Sequence, residues 1–321
     1  MPGILEYELK DYQDAARQYR SELLRLPILS LDEELSVMTL RPGIRHSEVV
    51  GSSNIDVELQ PYVRNAVQDA NLNLVNRELH TYFGTVNAEF DPNQEISTLL
   101  GHRASQASGD ALATTPQAHE VIAGVPKSIG RKLKTALFTA VRNPKGKKTT
   151  DLFNGFDTIA QKEITAGNIA SSVGNYLKLS AAPDKLNAVD IAQEILDAMS
   201  PELRGTECNL FCDQKFYDAY VRAYKMESGG IAYNTSYDQM YVEGSRNLLK
   251  IVPLVGKAGS RFLQVCPKSN MLVGCDQVSD KEQVRIGNYA PDTFMVMMRM
   301  FFGAQYESID PRRFLLAEIP A

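Results

Sequence analysis

An α+β fold is what this sequence predicts, and three observations predict it. Apolar stripes at helical spacing mark several segments, while other segments alternate at period two in β-branched and aromatic residues. The two kinds occur in blocks (helix, a β excursion, helix, then a mixed run) and not in the strict alternation of a parallel α/β sheet. Finally, 44% hydrophobic and 23% charged residues over 321 positions is the balance of a chain that buries a substantial core. The length fits one large elaborated domain or two smaller ones. There is no internal repeat and no low-complexity tract.

Residues 5–25 read as an amphipathic helix, with Leu9, Tyr12, Ala16, Tyr19 and Leu23 on one stripe. Pro27, Pro42 and Gly43 punctuate the next stretch of chain, so this helix is expected to be an arm and not a core element. From Glu48 to about Phe90 the pattern alternates. IDVELQPYV and NRELHTYFGTVNAEF predict a long two-stranded excursion. Asp91-Pro92 opens a helix-prone region over about 94–113. A clearer helix is predicted over 128–142, where Ile129, Leu133, Ala136, Leu137 and Ala140 share a face and Asn143-Pro144 stops it. Gly124 and Pro126 are expected to interrupt any longer helix upstream. Beyond a lysine-rich turn, DLFNGFDTIAQKEITAG reads as a turn at Asn154-Gly155 and a short segment.

The best-bounded helix carries Val189, Ala192, Ile195, Leu196 and Met199 on one stripe. Asp184 or Asn187 is its expected cap and Pro201 its stop. CNLFC is a buried strand. Asp213 then caps a helix with Phe216, Tyr217, Tyr220 and Tyr224 inward. Beyond a Gly-, Asn- and Tyr-rich loop, NLLKIVPLV and RFLQVC are expected to form a hairpin through Gly256–Ser260. QVRIGNY and TFMVMMRMFFGAQYES predict long strands, and RRFLLAEI a terminal one.

Charge and motif exclude more than they select. A net charge of −5 argues against a dedicated nucleic-acid binder. No apolar run approaches 18 residues, so no membrane span is expected, and the charged N-terminus lacks a signal peptide's apolar core. Cys208, Cys212, Cys266 and Cys275 make no CxxC pair, and His46, His80, His102 and His119 lie far from them. Small buried hydrophobes are the expected reading, with no metal and no cofactor. There is no GxSxG, HExxH, GxGxxG or complete P-loop; GVPKSIGRK lacks the GK[ST] ending. No catalytic residue is assigned.

Three features suit contact surfaces. Lys127, Arg131, Lys132, Lys134, Arg142, Lys145, Lys147 and Lys148 form a basic run without one acidic residue between them. It is either a patch facing phosphates, bound without sequence preference, or a solvated face that pairs with carboxylates of neighbouring subunits. The FMVMMRMFF run reads as a strand buried on both faces, in which Arg299 needs a partner at an interface. Tyrosines are common, and rigid, apolar, hydroxyl-tipped rings suit protein contacts. Tyr12, Tyr19, Tyr233, Tyr237, Tyr241 and Arg299 are the candidate interface residues.

The ordered series from Asn187 onward resembles the major capsid proteins of tailed bacteriophages, whose fold is named after phage Hong Kong 97. The series runs from the helix NAVDIAQEILDAMSPELRG to the strand, turn and helix ECNLFCDQKFYDAYVRAY. GSRNLLKIVPLVGKAGSRFLQVCPKSNMLVGCD comes next, and then the long strand that leads to FFGAQYESIDPRRFLLAEI. The resemblance spans nearly the whole chain and rests on order, since the motifs are degenerate. It implies an arm at 1–45, an extended two-stranded loop at 46–92, and a peripheral domain with a spine helix at 93–186. It further implies an axial domain at 187–268, return strands at 269–305, and a terminal strand at 306–321 joining the axial domain.

The resemblance also implies the function. Hexamers and pentamers would close into an icosahedral shell around a DNA genome, assembled in host cytoplasm and ending in the virion. Implied partners are further copies of the chain, packaged DNA in weak non-specific contact, and scaffold, portal and decoration proteins, with no membrane. No large charged scaffold region is present, so a scaffold is expected to be a separate protein unless residues 1–40 serve. An encapsulin-like shell and a DNA-binding protein using residues 127–148 are the alternatives.

Overall fold

The computed structural model describes residues 26–28, 30–56, 61, 71–90, 114–227, 240–276, 284–290 and 293–320. The expected helices over 5–25 and 94–113 lie outside the described residues, as does most of the Tyr-rich loop. Among the described residues the order begins with α1 (Asp32–Val37), β1 (Thr39–Pro42), β2 (Ser47–Asp56), β3 (Asn71–His80), β4 (Tyr82–Phe90) and α2 (Thr114–Thr139). It continues with α3 (Phe156–Thr165), β5 (Tyr176–Lys178), α4 (Ala188–Ala198), α5 (Pro201–Arg204), β6 (Cys208–Cys212) and α6 (Gln214–Glu227). The last strands are β7 (Leu249–Pro253), β8 (Phe262–Cys266), β9 (Met271–Cys275), β10 (Val284–Ala290), β11 (Thr293–Tyr306) and β12 (Leu315–Glu318).

Two sheets organise the molecule. In the first, β11 pairs antiparallel with β10, β4 and β9, and β1 adds parallel to β9. Val296, Met298, Phe302, Ala304 and Tyr306 are buried while Arg299 is exposed. Around Arg299 the long strand is therefore buried on one face only, and the expectation of burial on both faces is corrected there; further along, Gly303 is buried with its other face against the His80 backbone. α2 and α3 cover the face of the even-numbered residues. On the other, Phe83 is 53% exposed and lies 4.8 Å from the ring of Phe301, its register partner.

The second sheet runs β5-β12-β8-β6-β7. Its period-two alternation feeds two cores. Cys208, Leu210, Leu263, Val265, Leu315 and Ala317 pack with α4 and α6, including the inward Phe216 and Tyr220. Phe211, Val252, Phe262, Cys266 and Leu316 face α2, α3 and the first sheet. That shared core contains a run of rings from Phe138 through Phe156 and Tyr306 to Phe314, at centroid spacings of 5.6, 5.1 and 4.8 Å.

Four local expectations change. β7 and β8 form no hairpin, because β6 lies between them, parallel to β7 and antiparallel to β8. The loop joining them instead plugs against α2. Second, α2 is continuous through Gly124 and Pro126. A proline there removes one helical hydrogen bond and costs about 3 kcal/mol. Burial of Leu133, Ala136, Leu137 and Phe138 in the following turns offsets this, at roughly 1.5–3 kcal/mol for each large side chain. The helix ends at Thr139, three residues early, because the Val141 and Asn143 amides donate to Thr150 and Asp151 carbonyls at 2.9 Å. Third, neither expected side chain caps α4. Asn187 Oδ1 accepts from the Asp184 amide (2.6 Å), and Asp184 Oδ1 from the Lys185 amide.

The fourth change divides the excursion. Its second segment bends at Thr81: β3 pairs with β2, but β4 joins the first sheet along β11. The bend is seated on two glycines that are register partners, Gly274 and Gly303. A Cβ on Gly303 would lie 2.0 Å from the His80 carbonyl oxygen, and one on Gly274 would lie 2.8 Å from Thr81 Cγ2. Thr81 is buried there, donating from Oγ1 to the Ile44 carbonyl at 3.0 Å.

Candidate functional site

The basic run is split by the fold. Lys127, Arg131 and Lys132 are exposed along α2, and Arg142, Lys145, Lys147 and Lys148 are exposed in the turn behind it. Lys134 is diverted inward. Its Nζ bonds the Glu33 carboxylate and lies 3.3 Å from Glu34 Oε1. Glu34 is fully buried in α1, and burial raises its pKa despite the nearby cation. For Lys134, burial pulls the pKa down, but the Glu33 and Glu34 carboxylates outweigh it and hold it above the ordinary value. Arg142 also has an internal contact, with its guanidinium 3.6 Å from the centroid of the Tyr82 ring.

Between α2, the 142–152 turn and the β4/β11 sheet lies a half-open cleft of 1390 Å³. Its floor is apolar, from Ile129 and Leu133 on one side and Val86, Met298 and Met300 on the other. Lys132, Arg142, Lys147 and Lys148 stand on its rim. The fold thus brings four of the eight basic residues to one feature and leaves Lys127, Arg131 and Lys145 exposed outside it. Such a rim attracts anions at long range, with a strength that salt reduces.

Of the candidate interface residues, Tyr12, Tyr19, Tyr233 and Tyr237 lie outside the described residues. Tyr241 is half-buried and makes an isolated bridge to Lys250. Arg299 stands exposed on the odd-numbered face of β11, beside half-exposed Met297 and Phe301.

The β2–β3 ribbon pairs with no third strand among the described residues. Val49 on β2 is 66% exposed and Val75 on β3 is 44% exposed, while Val50 and Leu79 at its base are buried with Ile44 and Leu272. Arg77 clasps that base. Its guanidinium meets Glu163 Oε1 of α3 at 2.5 Å and donates to the Tyr306 carbonyl at 3.2 Å. Sequence reasoning missed this clasp, since Arg77 carries only the ordinary signature of a charged residue in an alternating strand. It also missed the buried Lys257, which falls within the expected Gly256–Ser260 hairpin turn.

Among the described residues, no group of three or more His, Cys, Asp or Glu side chains is placed to hold a metal ion. All four cysteines are unpaired and buried, and burial pushes Cys208 up to about 12 and Cys275 to about 11. No described helix is long and apolar enough to cross a membrane.

No family model matches this sequence, and no curated protein matches it either. Solved structures do. A chain of the satellite phage P4 procapsid that includes the size determination (Sid) protein superposes with TM-score 0.54 at 10% identity, covering 93% of this chain and 90% of that one. The capsid of an empty GTA particle gives 0.51 at 12% identity over 91% and 90%. The capsid of the native GTA particle gives 0.50 at 13% identity over 100% and 93%. A likeness that spans about nine-tenths of both chains while sharing about one residue in eight is a likeness of fold. The chain has the fold of the tailed-phage major capsid proteins.

Proposed function

We propose that this chain is the major capsid protein of a tailed phage, assembling through hexamers and pentamers into an icosahedral shell that encloses a DNA genome. The observation that carries the reading is the full-length fold likeness to chains of assembled capsids. The surface supports it. A protein that works by contact area needs several non-identical faces of obligate-interface type. The β2–β3 ribbon, with exposed Val49 and Val75, and the β4/β11 face carrying Phe83, Phe301 and Arg299 offer two such faces. In this reading residues 187–268, with the terminal strand, form the axial domain at the capsomer centre. Residues 93–186 and 269–305 form the peripheral domain, 46–92 the extended loop and 1–45 the arm. The protein belongs in the virion.

Lys127, Arg131, Lys132, Arg142, Lys145, Lys147 and Lys148 would face packaged DNA, a role for which weak, sequence-blind attraction is suited. The triple variant Lys145→Glu, Lys147→Glu, Lys148→Glu tests this. All three side chains are exposed, so folding should be unchanged. Duplex DNA retention by assembled protein at low salt should fall at least about tenfold, with a shallower salt dependence. Unaltered retention and unaltered salt dependence would remove the DNA-facing assignment while leaving the shell reading intact. Conversely, DNA binding by a stable monomer that never assembles would favour a DNA-binding protein over a shell.

A further inference from the structure

Lys257 ends a one-turn 3₁₀ helix, Val255–Lys257, in the connection between β7 and β8. Its side chain is fully buried. Nζ lies 3.2 Å from Asp157 Oδ1 in the first turn of α3, bonds the Gln264 side-chain carbonyl on β8, and sits 4.7 Å from the centroid of the Phe138 ring on α2. Gln264 closes the triangle, donating from Nε2 to Asp157 Oδ1 at 2.6 Å. Two neighbours tighten the same spot. A Cβ on Gly256 would lie 2.3 Å from the Lys134 carbonyl oxygen of α2, so only glycine admits this approach. Tyr306 of β11 donates from its hydroxyl to the Phe156 carbonyl at 3.2 Å.

The cluster therefore sits where the second sheet meets the two helices that back the first. As a source of stability it is poor, because removing two charges from water is costly and the pair's attraction does little more than return that cost. Burial pulls the Lys257 pKa down and the Asp157 carboxylate opposes it, which is that same balance expressed at one group. What the cluster adds is direction. The apolar contacts around Phe138, Phe156 and Phe262 are indifferent to small slides, whereas three mutually bonded polar groups in a low-dielectric site accept one geometry.

We propose that the Lys257–Asp157–Gln264 cluster sets the angle at which the second sheet docks on α2 and α3, and thereby the subunit shape from which assemblies are built. The consequence for assembly rests on the shell reading; the consequence for docking does not.

The test compares the full-length chain with two variants. Lys257→Met alone leaves Asp157 buried with one side-chain amide, so its unfolding midpoint should fall clearly. The triple variant Lys257→Met, Asp157→Leu, Gln264→Leu replaces the cluster with apolar groups of similar volume. It should unfold within about 5 °C of the unmodified chain. Amide exchange across 156–165 and 255–266 should nevertheless be about tenfold faster, and particles seen by electron microscopy should lose their uniform diameter. A triple variant as protected and as uniform as the unmodified chain overturns the proposal. So does a triple variant that fails to fold, because the cluster would then hold the fold together and not its angle. If the unmodified chain builds no particles, the shell reading fails, and amide exchange alone decides the docking claim.

Discussion

Burial decides what single residues do here. Cys208, Cys212, Cys266 and Cys275 behave as small hydrophobes whose thiols are pushed far from ionisation. Native protein at pH 8 should therefore leave all four thiols unreacted with a thiol-specific chromogenic reagent over minutes. The denatured chain should titrate four, and fast labelling of the native protein would contradict the packing. Glu34 gives a prediction with a sign. Its folded pKa is raised above 4.5 by burial, so between 4.5 and that raised value the folded chain holds a proton that the unfolded chain has released. Its contribution to stability therefore increases as pH falls through that window and is lost above it. Glu34→Gln should leave stability at pH 7 unchanged or higher and flatten the curve in that window, as urea unfolding at stepped pH would show. A large loss at pH 7 would mean that the Lys134 pair outweighs the desolvation of Glu34.

At the scale of elements, the pairing of Gly274 with Gly303 under the Thr81 bend makes a sharp claim. Gly303→Ala places a methyl 2.0 Å from the His80 carbonyl oxygen, against backbone that cannot swing away. We expect a loss of at least about 2 kcal/mol, as for other overpacked cores, with loss of amide protection in β3 and β4 first. A variant as stable as the parent would show that the bend is not seated there. This bend also marks how far the sequence was legible. β11, β6 and α4 were readable almost to the residue, since TFMVMMRMFFGAQY and CNLFC are largely apolar runs of strand length and AVDIAQEILDA carries a helical stripe ahead of Pro201. The split of NRELHTYFGTVNAEF at Thr81 was not, because its cause is two glycines about 200 residues further along the chain. The run through Pro126 was hidden for a similar reason, since packing of Leu133 to Phe138 overrides a local penalty.

For the whole molecule, what escaped the sequence is sheet order. NLLKIVPLV and RFLQVC look like a hairpin because they are adjacent in the chain, yet β6, which precedes both in the sequence, inserts between them. Strand pairing is non-local, and no periodicity reports it. The site was half legible. The basic run was visible by composition, but only the fold shows that Lys134 is consumed by Glu33 and Glu34 and that four others rim one cleft. The order of elements still sufficed for the resemblance to a capsid fold, although agreement in sequence is only 10–13% with the superposed chains. Whether this chain builds shells is decided by size-exclusion chromatography with light scattering on the purified full-length chain, followed by electron microscopy of the heaviest fraction. Rings of five or six, sheets, tubes or closed particles of one repeating subunit are the expected result. A chain that stays a monomer or dimer at high concentration, with crowding agents present, would contradict it.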